Sequence, residues 1–320
     1  MTMHTEHPIL VRRRREDSEL QDRWLHKTRR NDTIKRVVAG SYVLSQEWNQ
    51  LNPMQQHQTL VLEVVDRARG TLVITHDSAA AIHGIDRIGA WPTQVSVRIA
   101  RASGGRSSGA VRRLALGFED VELLEWRGHL ITSPAQTAID IASSATYTGG
   151  VIAFDQALWR RRPEGALTDM AHVEELLASN DRRGLSRVPK ALAFATGLSD
   201  SVRESEGRVL IARLGFPAPV LQQRFILPGG RTAYSDYYWR EYDHVGEFDG
   251  TGKYFDPDIL RGRTPEQALL EEKDRADALR RQVAGMSRWR VPAHRNPVEL
   301  YDILTADGLP SRFPRPRRAS

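Results

Sequence analysis

The chain has 320 residues and no cysteine. That length exceeds one ordinary core and implies two or three domains, and the missing thiols exclude disulfides, thiolate nucleophiles, cysteine zinc sites and iron–sulfur clusters. Hydrophobic residues at 40% and charged residues at 27% fit a globular chain rather than a disordered one, with a net charge of +6. No apolar run approaches the roughly 18 residues that would cross a bilayer. Met1–His7 is polar and has no apolar core of a secretory signal, so a cytoplasmic address is expected.

The basic residues are mostly arginine. Lys27, Lys35, Lys190, Lys253 and Lys273 are the lysines among 46 basic side chains. Arginine is the better fork for phosphate, so nucleic acid is the first partner to consider. An ordinary solubility charge is the competing explanation.

Residues 1–45 read as a small basic element. Asp17 to Arg30 has helical spacing, with Leu20 and Trp24 on one side. Thr33–Val37 and Ser41–Leu44 alternate like two strands around an Ala39-Gly40 turn. A helix followed by a basic hairpin has the outline of a winged DNA-binding element. Arg29, Arg30, Lys35 and Arg36 are its candidate phosphate contacts.

Residues 46–160 read as a mixed α/β domain. Asn52-Pro53 opens a helix running to about Ala68, and Thr71–Thr75 is a strand. Ser78–Ile82 is a short helix closed by Gly84. Val95–Ile99, Val111–Leu116 and Val121–Trp126 are strands, and Ser133–Ala142 and Val151–Trp159 are helices. The glycines of Gly104–Gly109 lack the Lys-Ser/Thr of a phosphate loop, and no dinucleotide fingerprint occurs, so no nucleotide cofactor is expected. Residues 161–200 read as a helical linker. Residues 296–320 form a Pro/Arg-rich basic tail, expected to be disordered from Leu309 onward.

Residues 201–295 carry the chemistry. Ser201-Val202-Arg203-Glu204 is a capping box opening a helix that ends at Leu214-Gly215, with Pro217 beyond. Two β-rich runs flank Arg240–Asp243 and read as a hairpin. If Trp239 pairs with His244, Asp236 lies opposite Glu247, and Asp249 shares the face of Glu247 two residues along. Like charges across strands destabilise a sheet, so a cation, a shared proton or solvent is needed there. Oxygen-only ligands favour Mg²⁺ or Mn²⁺. The alternative is a solvent-facing strand edge that binds no metal. A one-residue slip would move Asp236 off the face.

Glu204 is a further acid near this patch, although its capping box already employs it, and Glu206 is a second candidate. Thr264-Pro265-Glu266-Gln267 opens another capped helix. On it Lys273, Asp277 and Arg280 share a face, either as surface salt bridges or as a phosphate-binding wall beside the acids. Arg288–Val291 reads as a closing strand with Trp289 in the core.

Taken in order, Glu204-Ser205, Gly215-Phe216-Pro217, Asp236, Gly246–Gly250 with Lys253, and Glu272-Lys273 through Arg280 resemble a domain related to very-short-patch-repair endonucleases, within the PD-(D/E)XK nuclease superfamily. The resemblance spans about residues 200–291. It implies a restriction-endonuclease-like α/β core, Asp236 and Glu247 as metal ligands, and Glu204 as the helix acid. The superfamily pattern has lysine two residues after the motif Glu. Here that position is Asp249, which leaves Lys253 or Lys273 to supply positive charge. Ile34–Val43, Ser78–Gly84 and Ser133–Asp140 resemble AbiEi-type antitoxins over about residues 8–160. That resemblance implies a winged helix joined to an α/β domain, promoter binding and a cognate toxin. His83 and Asp140 are motif positions best read as buried structural residues. The sequence therefore predicts an α/β protein: a DNA-binding, metal-dependent endonuclease, or a regulator whose nuclease fold is inactive.

Overall fold

The computed structural model describes residues 11–12, 28, 33–103, 107–179, 185–250 and 264–317. Apart from Thr28, the helix expected over 17–30 lies outside the described residues, as do Arg29, Arg30 and Lys253. The chain is α/β and divides into two compact units. The first comprises residues 1–158 with 162–195, and the second comprises 159–161 with 196–320.

The first unit opens with a three-stranded sheet of β1 (Val11–Arg12), β2 (Ile34–Val38) and β3 (Ser41–Leu44), ordered β1-β3-β2. The predicted hairpin is present, and Arg36 on it is exposed while Lys35 is half-buried. The Ser41 hydroxyl donates to the buried carboxylate of Glu63, and Arg67 donates to Ala39 O at 2.6 Å. Helices α1 (Ser45–Gln50) and α2 (Pro53–Asp66) follow. The reciprocal Asn52–Gln55 capping box and Pro53 at the first turn start α2.

A five-stranded mixed sheet has the order β6-β5-β4-β8-β7. Its strands are β4 (Val73–Ile74), β5 (Val95–Ile99), β6 (Val111–Ala115), β7 (Leu123–Trp126) and β8 (His129–Thr132). Strand β8 was not foreseen; it forms a hairpin with β7 because Arg127 and Gly128 both take positive φ in a tight turn. Around the sheet lie α3 (His76–His83), α4 (Pro134–Ser144) and α5 (Tyr147–Leu158). Val61, Ile74, Val95, Val97 and Ile131 form the apolar core. The segment read as a linker instead supplies α6 (Met170–Ala178) and α7 (Val188–Phe194), which pack on α4 and α5. Their buried Val173, Val188 and Leu192 give them a place in the first unit.

The second unit has the order helix, three antiparallel strands, helix, parallel strand. These are α8 (Val202–Arg213), β9 (Val220–Ile226), β10 (Thr232–Trp239), β11 (His244–Phe248), α9 (Pro265–Arg280) and β12 (Gly285–Trp289). The sheet order is β12-β11-β10-β9, with β12 parallel to β11. Trp239 pairs with His244, the register expected from the four-residue loop. Strand β9 escaped the sequence reading because Gln222-Gln223 interrupts its apolar pattern, although Leu221 and Phe225 keep a period of two.

The tail corrects the sequence reading. Helices α10 (Val291–Arg295) and α11 (Pro297–Ala306) follow β12, and Leu300, Leu304 and Leu309 are buried in the core with Tyr237, Trp239 and Trp289. Residues 309–317 are ordered against α8, because Leu309 and neighbouring backbone bonds offset the entropy of fixing them.

Candidate functional site

The acids converge on the second unit. Glu204 sits in the first turn of α8, where Ser201 caps the helix and accepts from Glu204 N at 3.2 Å. Its carboxylate reaches back to Asp200 N at 2.8 Å, one residue before the cap, and also accepts from Ser201 Oγ and Gln222 Nε2. Tyr237 on β10 donates to Glu204 O at 2.7 Å. That close approach requires Gly207, since a Cβ there would stand 2.5 Å from the tyrosine oxygen.

Glu204, Asp236, Glu247 and Asp249 line one cavity of about 750 Å³. Asp236 accepts from Phe248 N at 2.8 Å, tying the β10 acid to β11. Glu247 is 4% exposed, on the strand whose register places Arg288 of β12 beside it. Its Oε1 accepts from Arg275 at 2.8 Å, while its buried Oε2 has no hydrogen-bond partner and stands 3.6 Å from Arg288 Nε. Asp249 is engaged by Arg290 at 2.9 Å. Glu272 accepts from Arg275 at 2.8 Å and from Arg288 at 3.2 Å. Two arginines and two glutamates thus alternate along one wall.

Electrostatics single out Glu204. Burial first, and then the charge of Asp236, push its carboxyl up to about 8. Arg275 is held more firmly protonated by its hydrogen bond to Glu272. Opposite Asp236 on β9, Gln222 adopts φ +51°, a left-handed backbone that a side-chain-bearing residue rarely takes. Strain of this kind, of order 1–3 kcal/mol, persists where surrounding contacts enforce it and concentrates at functional sites. Gln222 is fixed by its bonds to Glu204 and Arg161.

Of the two readings of α9, the exposed one fits the face that carries Lys273, and a different face lines the cavity. Lys273, Asp277 and Arg280 are exposed, and Glu272 and Arg275 face the cavity. A step of 100° per residue separates the two faces, and buried Ala276 and Leu279 fix which one turns inward. Glu206 also leaves the candidate set. Burial opposes its ionisation, yet bonds from His294 at 2.9 Å and Arg203 at 2.8 Å hold its carboxyl below the usual value. Trp289 is 2% exposed, as expected of a core residue. Arg275 and Arg288 were visible in sequence only as members of a charged helix and a basic strand. Their partner, Glu247, is set by a parallel crossover that no local spacing encodes.

The donor set suits a hard cation, being carboxylate oxygen throughout. Among the described residues no three acidic or imidazole side chains form a metal-holding group by themselves. A divalent ion here would use Asp236 and the Glu247 oxygen that makes no hydrogen bond, with water and phosphate completing its shell, as magnesium commonly does.

In the first unit the motif residues are structural. His83 is buried and bonded to Thr132 O at 2.7 Å. Asp140 is buried and accepts two bonds at 2.8 Å from Arg98, with Thr75 and Gln136 also donating to it.

Two uncharacterised proteins of Mycobacterium tuberculosis, from strains CDC 1551 / Oshkosh and H37Rv, are similar to this chain. Each is 28% identical over 204 residues, covering 63% of this chain and 72% of the relative. No family model and no solved structure matches. Among the described residues no helix is long and apolar enough to cross a membrane.

Proposed function

We propose that the second unit is a Mg²⁺- or Mn²⁺-dependent endonuclease domain that hydrolyses DNA phosphodiester bonds, in a DNA-binding protein of the cytoplasm. One observation carries this: Asp236 and Glu247 on adjacent strands share a cavity with Glu204, whose ionisation is strongly opposed there. Negative charge concentrated in this way is relieved by a divalent cation. The helix–three-strand–helix–strand order supports the nuclease-like core that the sequence resemblance implies.

Asp236 and Glu247 would hold the ion, which supplies Lewis-acid charge and a more acidic water when bound. Glu204, raised to about 8, would hold a proton near neutral pH, and positive charge beside Asp236 would weaken its hold on that proton. Arg275 and Arg288 line the same cavity and stand beside Glu247, so they are the cations within reach of a bound phosphate. They can exchange their carboxylate partners for phosphate oxygens, which bidentate guanidinium groups favour. Asp249, turned to Arg290, serves less as a base than as an anchor for that arginine.

A second reading has its own observation. Arg275 already binds Glu247, and Asp249 stands at the lysine position. A regulator or antitoxin with an inactive nuclease fold, contacting DNA through Lys35 and Arg36 and opposing a toxin protein, would retain such a closed pair. Incubation of supercoiled and mismatched DNA with Mg²⁺ or Mn²⁺, beside Asp236→Asn and an EDTA control, separates the two. Metal-dependent nicking absent from the variant supports the nuclease. Binding without any nicking supports the regulator.

A further inference from the structure

A second cavity in this unit, about 700 Å³, lies away from the acids. Arg213, Arg295 and Arg317 line it together with the apolar Leu210, Leu214 and Val298. No Asp or Glu lines it among the described residues. The three arginines come from three separate places in the chain. Arg213 closes α8, Arg295 ends α10, and Arg317 arrives with the returning tail.

The fold is built to bring that tail back. Ser311 Oγ donates to Leu214 O at 2.6 Å, and Arg312 N donates to Gly215 O at 3.1 Å. Gly215 has φ +83°, and a Cβ on it would stand 2.6 Å from the Phe313 ring. Only glycine lets the ring seat there and carry Arg317 to the end of α8. Like charges gathered at one cleft repel, so an anion is the occupant that relieves them. The apolar lining suits the sugar and base faces of a polymer whose phosphates meet the arginines.

We propose that this cleft grips the phosphodiester backbone of DNA at a distance from the acid cavity. The polymer's identity rests on the reading given above. Arg213 is nine residues beyond Glu204 on one helix, a rise of about 14 Å at 1.5 Å per residue. One DNA strand advances about 3.4 Å along its axis per phosphate, so a separation of that size is within the span of a few nucleotides.

The test is fluorescence anisotropy of the full chain with a fluorescein-labelled DNA duplex in EDTA, between about 50 and 200 mM salt. Each lost phosphate contact lowers the slope of log K against log salt by about 0.9. Replacing Arg213, Arg295 and Arg317 with Ala together should lower it by roughly 2.7. Arg213→Ala alone, at an exposed position, should lower it by about 0.9 and guards against misfolding of the triple variant. An unchanged slope in the folded variants overturns the proposal. Calorimetric binding of AMP to the native chain but not to Arg213→Ala, with the duplex slope unchanged, would mark a mononucleotide site and overturn it too. A native chain that binds with the expected slope yet never nicks removes the endonuclease reading and leaves the cleft's assignment standing.

Discussion

Each unit buries a charge cluster, and the two are built differently. In the first, Asp140 receives Arg98, Thr75 and Gln136 at 2.8–2.9 Å, and Arg98 also donates to Gly117 O. Both partners of that pair are almost wholly enclosed, at 0% and 5% side-chain exposure. In the second, Glu247 keeps one buried oxygen without a hydrogen bond, and Glu204 faces Asp236 across a cavity. The first cluster is closed off from solvent around a paired carboxylate, although Arg98 Nε makes no hydrogen bond, and it lines no cavity among those described, so it offers a ligand no way in. An open cluster with surplus negative charge does offer one, and that asymmetry is the reason to look for chemistry in one unit and architecture in the other.

The largest expected effect tests the open cluster. Asp236→Asn should lower metal-dependent nicking by roughly a thousandfold, the several kcal/mol of charge stabilisation a bound ion supplies. DNA affinity in EDTA should stay unchanged. The closed cluster should respond in stability instead. Arg98→Met leaves Asp140 buried without its cation and should cost about 3–5 kcal/mol in urea unfolding. Adding Asp140→Leu should recover most of that loss; no recovery would mean the pair does more than balance itself.

Glu204 sharpens the contrast through pH. Its carboxyl is raised in the folded chain, from 4.5 to about 8, so the folded state holds the proton longer than the unfolded one. Stability from this group is complete below about 4.5 and declines as pH rises toward 8, at up to about 1.4 kcal/mol per pH unit. Glu204→Gln should flatten the dependence in that window and melt higher than the native chain at the alkaline end. A parallel pair of curves would show that Glu204 ionises freely. The smallest effect concerns the arginine wall. Arg275→Met should cost about 2 kcal/mol, less than a fully enclosed pair because Arg275 is partly exposed. Mn²⁺ should restore more melting temperature to this variant than to the native chain.

What could be read from sequence was local. The helix start at Asn52-Pro53, the Thr264 capping box, the Ser201 cap and the 239–244 pairing all depend on residues a few positions apart. From that pairing the opposition of Asp236 and Glu247 follows by counting. The arginines opposite those acids were beyond reach. Arg275 acts from a helix whose inward face is chosen by packing, and Arg288 acts from a strand docked in parallel 41 residues after Glu247. The tail misled for a related reason: proline and arginine suggest disorder, while Leu309 and the contacts of Phe313 with Gly215 decide otherwise.

The parallel pairing of β11 with β12 also orders events in time. The β10–β11 hairpin closes over four residues and can form as soon as it is synthesised. Strand β12 must await the intervening crossover, whose loop closure is entropically costlier and slower. Until it docks, Glu247 meets water rather than Arg288. By this argument the carboxylate is expected to stay hydrated early in folding and to be buried at the step that delivers its countercharge.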